Sequence, residues 1–379
     1  MARDPGSRPA ATVAFFDLTR QLASIRPEID AALAGVLADG GYTNGPAVAA
    51  FEEQFAPYCG VEHCIAVNNG TSALHLALRA LDVGPGDEVV TVSMSFVATA
   101  WPILYTGALP VFVDVDPARM TMDPASLRRA VGPQTKAIVV VHLYGQMADM
   151  DPILAVARER NIPIVEDCAQ SQGAEYRGQR AGSMGTVGCY SFYPSKNLGA
   201  YGEAGAVVTR DAGLAAKFRS LRNHAMVERY LHEDIGYNYR MNSFQGAVLQ
   251  VKLRHLEAWT ARRIALAERY DGLLTDVAVT RPALARDGRA VHHLYVIRHP
   301  RRDALRAELA KRGVETAVHY PRAIHQQPVL ERYGFDRQAL DHTEAIARDC
   351  ISLPLYPEMP VEQVDVVVAA LREATTAVA

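Results

Sequence analysis

The chain has no CxxC pair, and its five cysteines, Cys59, Cys64, Cys168, Cys189 and Cys350, are an odd number. A zinc knuckle or dithiol redox motif is excluded, and a disulfide framework is disfavoured; buried thiols in a reducing compartment are the expectation. An excess of one charge is also lacking. With 39 Lys and Arg against 42 Asp and Glu, the net charge is −3, too little positive charge to neutralise a nucleic acid or an anionic membrane surface. Arginines gather between Arg286 and Arg302, but Asp and His interleave them, which suits a solvated face. No apolar run reaches 18 residues, and residues 1–12 (MARDPGSRPAAT) have no hydrophobic core of a signal. Membrane spanning and secretion therefore lack support, a cytoplasmic location is expected, and residues 1–12 read as a loose tail. GxGxxG, GK[ST] and HExxH are all missing, which argues against a dinucleotide fold, a P-loop and a zinc protease.

What is present is an ordinary globular composition, 49% hydrophobic and 21% charged, over 379 residues. That length exceeds what one core usually serves, so a large and a smaller domain are expected. Between Cys64 and Thr209, short β-branched runs (CIAV, DEVVTV, LPVFVDV, KAIVVVHLYG, NIPIVEDC, VGCYSFYP, GAVVT) alternate with helical patterns such as TSALHLALRAL, SFVATAWPILYTG and DMDPILAVARERN. This is the pattern of an α/β fold with a mostly parallel central sheet flanked by helices. After Asp234 a single long helical stretch begins at SFQGAVLQ. The domain boundary is placed within it, giving a large domain over 13–255 and a small C-terminal α+β domain over 256–379.

Chemistry concentrates in three segments. In CYSFYPSKNLGAYGEAGAVVT, Lys196 follows a strand-like run rich in aromatics, where desolvation would lower its pKa toward nucleophilic use. IPIVEDCAQSQGA ends a strand on Glu166 and Asp167, carboxylates that could cap a helix or keep a pyridine nitrogen protonated. AVNNGTSALHLAL sets Gly70, Thr71 and Ser72 between a strand and a helix, suited to a phosphate at the positive helix end or simply to N-capping. A Schiff-base lysine, a carboxylate and a phosphate cradle together are what pyridoxal phosphate (PLP) requires. His292 and His293 are adjacent in a strand-like run and are read as structural, since neighbours on a strand face opposite ways.

With these segments, GPGDEVVTVSMSFVATA, VFVDVDP, VHLYGQMADMD, GYNYRMNSFQGAV and VHYPRAIHQQP occur in order. The chain thereby resembles the DegT/DnrJ/EryC1/StrS family of PLP-dependent sugar aminotransferases, of fold type I. The resemblance implies Lys196 as the internal-aldimine lysine and proton shuttle, and Asp167 as partner of the pyridine nitrogen. Gln170 would bond the ring oxygen and Phe96 would stack on the ring. Gly70, Thr71, Ser72 and Ser191 would hold the phosphate, joined by Asn238 of the partner subunit in a homodimer. His319, Tyr320 and His325 would line the substrate. Val92, Ser95 and Gly246 depart from common family residues at points read as remote from the chemistry.

The implied reaction moves an amino group, from glutamate, onto a keto carbon of a dTDP- or UDP-linked deoxysugar for an antibiotic or glycan, through the PLP and pyridoxamine forms. GYNYRM leans toward amination at C4. A keto-cyclitol acceptor and a non-catalytic regulatory subunit are the alternatives; the retained Lys196, Asp167 and Gln170 set opposes the second.

Overall fold

The computed structural model describes residues 13–285, 287–335 and 339–378, so the tail expected at 1–12 and Arg286 lie outside the described residues. Each of the seven β-branched runs forms a strand: β1 (His63–Val67), β2 (Glu88–Val92), β3 (Leu109–Val113), β4 (Thr135–Val141), β5 (Ile164–Asp167), β6 (Val187–Ser191) and β7 (Gly205–Thr209). They make one sheet in the order β1-β7-β6-β5-β4-β2-β3, parallel except for β7. Along β4, Ala137 and Val139 enter one core while Ile138 and Val140 enter another. Alternation into two apolar layers is why these runs are hydrophobic throughout, as a sheet covered on both faces demands.

Turn chemistry shapes the connections. Asn69 caps the helix Gly70–Ala80, its Oδ1 accepting the Ser72 N–H at 2.8 Å, and Asn161 ends Met150–Arg160 in the left-handed conformation. The SFVATAWPILYTG pattern does not make one helix. It gives a 3-10 turn at Val97–Thr99 and a short helix Trp101–Tyr105, because the Pro102 ring would clash with the carbonyl one turn earlier in any continuous helix.

The helix Ser243–Leu273 runs for 31 residues. Val248 and Val251 meet Ile25 and Ile29, whereas Leu266, Ala267 and Tyr270 join a second core. That core contains the antiparallel pair Tyr295–Arg298 and Cys350–Leu353 and the helix Val361–Val378. Val13 also packs there, bridging to Val314. The expected α/β architecture with a smaller C-terminal α+β part is what the chain adopts. All five cysteines are free and buried, and among the described residues no helix is long and apolar enough to cross a membrane.

Gly246 has a packing reason. A Cβ there would sit 2.9 Å from the Ala47 carbonyl oxygen and 3.0 Å from Val48 Cα, so the long helix and Pro46–Cys59 touch backbone to backbone. Gly246→Ala gains about 1 kcal/mol of helix propensity but forces apart two rigid elements, a cost of about 1–3 kcal/mol. A net loss of up to about 2 kcal/mol is expected, read as a lower urea midpoint.

Candidate active site

The carboxyl ends of β1, β4, β5 and β6 open onto a cavity of about 690 Å³, the position where ligands of open α/β sheets bind. Asp167, the last residue of β5, is buried there. Its Oδ2 accepts the Thr99 hydroxyl at 2.8 Å and its Oδ1 the Ala169 N–H at 3.1 Å. Burial pushes the Asp167 carboxyl above its usual range, opposed by these bonds and by the Lys196 charge. Ser95 Oγ lies 2.8 Å from Thr99 Oγ1. Ser95, read from sequence as remote from the chemistry, is therefore one hydrogen bond removed from the carboxylate.

Glu166, the preceding residue, faces away into a separate network. Its oxygens accept His142 Nε2 at 2.8 Å and the N–H groups of Gly182, Met184 and Gly185. Burial alone would raise Glu166, but His142 and these backbone donors hold it below the usual carboxylate range. His142 Nδ1 accepts the Ala148 N–H at 3.2 Å, so the ring proton sits on Nε2. Although His142, Glu166 and Cys168 lie close enough to hold a metal, the ring nitrogens and carboxylate oxygens are all engaged in hydrogen bonds.

Lys196 sits in the cavity wall on a turn closed by its own N–H to the Tyr193 carbonyl at 2.8 Å. Burial lowers its amine to about 8, with the Asp167 charge opposing. His319 lines the same cavity and is lowered to about 4 by burial and by Lys196. Above pH 8 the site therefore holds a neutral amine beside the neutral imidazole of His319.

At the other side of the cavity, β1 runs into the helix Gly70–Ala80. A Cβ on Gly70 would lie 2.6 Å from Ser191 Cβ, and one on Gly205 would lie 2.5 Å from the Asn69 carbonyl carbon. Glycine at both points lets the helix start rest on β6 and β7, which brings Thr71 and Ser191 into the cavity wall together. First-turn N–H groups lack intrahelical partners and carry the positive end of the helix dipole. Asn69 engages only that of Ser72.

The Gln170 amide is fixed from both ends: Oε1 accepts the Tyr144 N–H at 2.7 Å and Nε2 donates to the Tyr320 hydroxyl at 3.1 Å. Tyr144 in turn donates its hydroxyl to the His319 carbonyl. Phe96 is half exposed at the rim, its ring 5.8 Å from that of Tyr320.

Of the residues singled out from sequence, Gly70, Thr71, Phe96, Asp167, Gln170, Ser191, Lys196, His319 and Tyr320 line this cavity. Ser72, Asn238 and His325 do not. Ser72 is buried behind its cap. Asn238 Oδ1 accepts Arg240 Nη2 at 2.7 Å and Nε at 3.1 Å. His325 is fully buried, 2.7 Å from Ser93 Oγ and 3.3 Å from Glu344, pinning the turn Ile324–Gln326 to the end of β2.

His293 requires a correction. His292 is in the left-handed conformation with φ 44°, and the strand begins only at Tyr295, so the opposite-faces argument does not apply. His293 lines the cavity and bonds Asn197 Oδ1 at 3.2 Å. Sequence reasoning also passed over Thr99, His142, Tyr144 and Glu203. All four stand inside segments already quoted, Thr99 in SFVATA, His142 and Tyr144 in VHLYGQMADMD and Glu203 in GAYGEAGAVVT, and Thr99 lies only three residues after Phe96.

These residues fit PLP by their chemistry. A helix start with hydroxyls suits its phosphate, and Asp167, three strands along the sheet edge, suits a basic ring nitrogen. Lys196, close enough to Asp167 for their charges to interact, suits its aldehyde. The class so defined is a PLP-dependent transaminase.

The model of the DegT/DnrJ/EryC1/StrS aminotransferase family matches residues 23–372, and the chain belongs to that family. It is 43% identical over 366 residues to a pleiotropic regulatory protein of Geobacillus stearothermophilus, covering 95% of this chain and 98% of the relative. It is also 43% identical over 362 residues to dTDP-3-amino-3,4,6-trideoxy-alpha-D-glucose transaminase of Streptomyces venezuelae, covering 95% and 96%. The crystal structure of S. venezuelae DesV in complex with a ketimine intermediate superposes with a TM-score of 0.94 at 42% identity, over 96% of this chain and 98% of that one. The protein is thus an aminotransferase of nucleotide-linked sugars with PLP as cofactor.

Proposed function

We propose that this enzyme moves the amino group of glutamate to the C3 keto carbon of a dTDP-linked deoxyhexose, with Lys196 as cofactor-bearing lysine and proton carrier. The observation that carries the reading is one cavity holding an amine lowered to about 8 beside a buried carboxylate and an open helix start. When bound, PLP supplies an electron sink for the carbon that carries the nitrogen. The chain supplies the rest. Asp167 holds the proton on the ring nitrogen, and Thr99 orients the carboxylate for it. Lys196 Nζ takes the proton from the donor carbon and returns it to the acceptor carbon, a role suited to a group whose pKa lies near working pH. Gly70, Thr71 and Ser191 hold the phosphate, Gln170 orients the ring oxygen, and Phe96 stacks at the rim. His319 and Tyr320, both uncharged, meet the sugar and shield the centre from water.

The division at residue 255 into a cofactor-binding and a small domain belongs to the same reading, supported by the change of core along the long helix, where Leu249 and Leu256 pack into one core and Leu266, Ala267 and Tyr270 into the other. So does a homodimer in which Asn238 of the partner subunit completes the phosphate site. Support comes from the ribbon just before Asn238, where Val227, Tyr230, Leu231 and Ile235 are 46–79% exposed, an apolar face that a second copy would cover.

The GYNYRM segment leans toward C4, whereas the product named for the 43% identical Streptomyces relative carries its amine at C3, and similarity over the whole chain outweighs one hexapeptide. The test is incubation of the loaded enzyme with glutamate and a panel of dTDP- and UDP-linked 3-keto and 4-keto sugars, with the new C–N bond located by NMR. Amination of a dTDP 3-keto sugar is the expected result. Amination at C4 alone would overturn the position, and preference for UDP the nucleotide.

A further inference from the structure

We propose that Lys252 is a positioning residue for the reaction: its ammonium, buried in the long helix, holds the Gly199 carbonyl and thereby sets the loop that carries Lys196. Lys252 is fully buried, and its Nζ donates to Gly199 O at 2.7 Å while lying 4.2 Å from the centre of the Tyr201 ring. Burying an ammonium is unfavourable unless it is paired. Burial lowers Lys252 to about 8, with Glu358 opposing, and a leucine or methionine would fill the same space without that cost. A charge kept in such a place calls for a use.

The loop it holds is a single unit. Lys196 N–H closes on the Tyr193 carbonyl and Ala200 N–H on the Phe192 carbonyl, both at 2.8 Å. A Cβ on Gly199 would lie 2.3 Å from the Pro194 carbonyl oxygen, so the backbone at 199 is packed against the turn bearing Lys196 and cannot shift without it. A second strap comes from Gln245, whose Oε1 accepts the Tyr201 N–H at 2.9 Å. Gln245 and Lys252 are seven residues apart on the helix Ser243–Leu273, hence on one face. Arg263, three turns further along, is also buried and donates to the carbonyls of Leu355 at 3.0 Å and His292 at 3.3 Å. It anchors the segment that leads into His293, so one helix face sets two walls of the cavity. Glu358 is the carboxyl they share: burial raises it, and Arg263 and Lys252 oppose that shift.

Placement matters because a misplacement of about 1 Å can cost about 10²-fold in rate. The inference rests on Lys196 being the cofactor-bearing lysine, and its test separates the two ideas. Lys252→Met removes the donor at nearly constant volume. Hydrogen exchange of the peptide 193–202 in the cofactor-free chain reads the loop directly and needs no PLP. The rate of PLP capture against pH, followed by visible absorbance, reads the amine.

The expected result for Lys252→Met is about tenfold faster exchange confined to that peptide and capture at least tenfold slower at pH 7. The pH midpoint of capture should rise from about 8. In the loaded enzyme kcat should fall at least tenfold, with KM for the nucleotide sugar within twofold. The titratable groups facing Lys196 are Asp167, His293 and His319, all unchanged in the variant, so a shifted midpoint reports altered burial of the amine. A folded Lys252→Met protein with wild-type exchange, capture and kcat overturns the proposal. Should Lys252→Met fail to fold, Gln245→Leu cuts the other strap without stranding a charge: capture at least threefold slower supports the loop's role, and unchanged exchange and capture overturn it. If the wild-type chain captures no PLP, the reading of Lys196 falls, while the exchange result still decides whether Lys252 sets the loop.

Discussion

Lys196→Ala is expected to lower kcat by about 10⁴-fold while leaving the fold intact. The upper range of acid–base catalysis by one positioned group is about 10⁴, and this amine would also form the covalent link to the cofactor. Alanine retains the bond from its own N–H to the Tyr193 carbonyl, so the turn should persist. Burial, with only partial opposition from Asp167, holds the amine near 8, which leaves a substantial neutral fraction at mildly alkaline pH. The wild-type rate should therefore rise with pH through about 8 and the residual rate of the variant should not. Turnover is measured as 2-oxoglutarate released from glutamate in the presence of the keto sugar, and folding by the thermal midpoint. A variant with wild-type turnover would overturn the assignment.

Asp167→Asn should cut turnover by about 10²–10³-fold, the usual effect of deleting one preorganised electrostatic partner. It should at the same time stabilise the cofactor-free protein. The sign follows from linkage: burial raises the folded carboxyl above its ordinary value, so between the unfolded and folded pKa values the native state binds more protons than the unfolded one. Stability is lost as pH rises through that window and stays lost at neutral pH. Asparagine never ionises and incurs no such loss. It keeps an oxygen for the Ala169 N–H, although Thr99 then needs another acceptor. Higher thermal stability with lower activity in one variant would show a carboxylate retained for chemistry against the interest of the fold. A lower midpoint, or unchanged turnover, would contradict that account.

The strands were legible because each is a short β-branched run bounded by Gly, Pro or Asp, and a sheet buried on both faces requires nothing subtler. The candidate site residues were legible because each lies where a strand ends and polarity returns: Asp167 closes β5, Lys196 follows β6 and Gly70 follows β1. Where the reading failed, one residue changed the local geometry. Pro102 split an expected helix, and the left-handed His292 turned His293 out of an expected strand and into the cavity. The HYPRAIHQQP segment looked uniform in sequence, yet His319 and Tyr320 reach the cavity while His325 is held by Ser93 and Glu344.

By itself, then, the sequence determined the position and burial of the strands along the chain, the three segments that meet at the cavity and the absence of rival motifs, because these depend on local periodicity and on residue type at strand ends. Tertiary structure alone decided which partners those residues meet. Thr99 reaches Asp167 across 68 positions and Gln170 reaches Tyr320 across 150. Asn197 meets His293 across 96, and Lys252 grips Gly199 across 53. Such pairs are set by strand order and by the path of one long helix, and periodicity along a chain does not encode which distant elements will pack together.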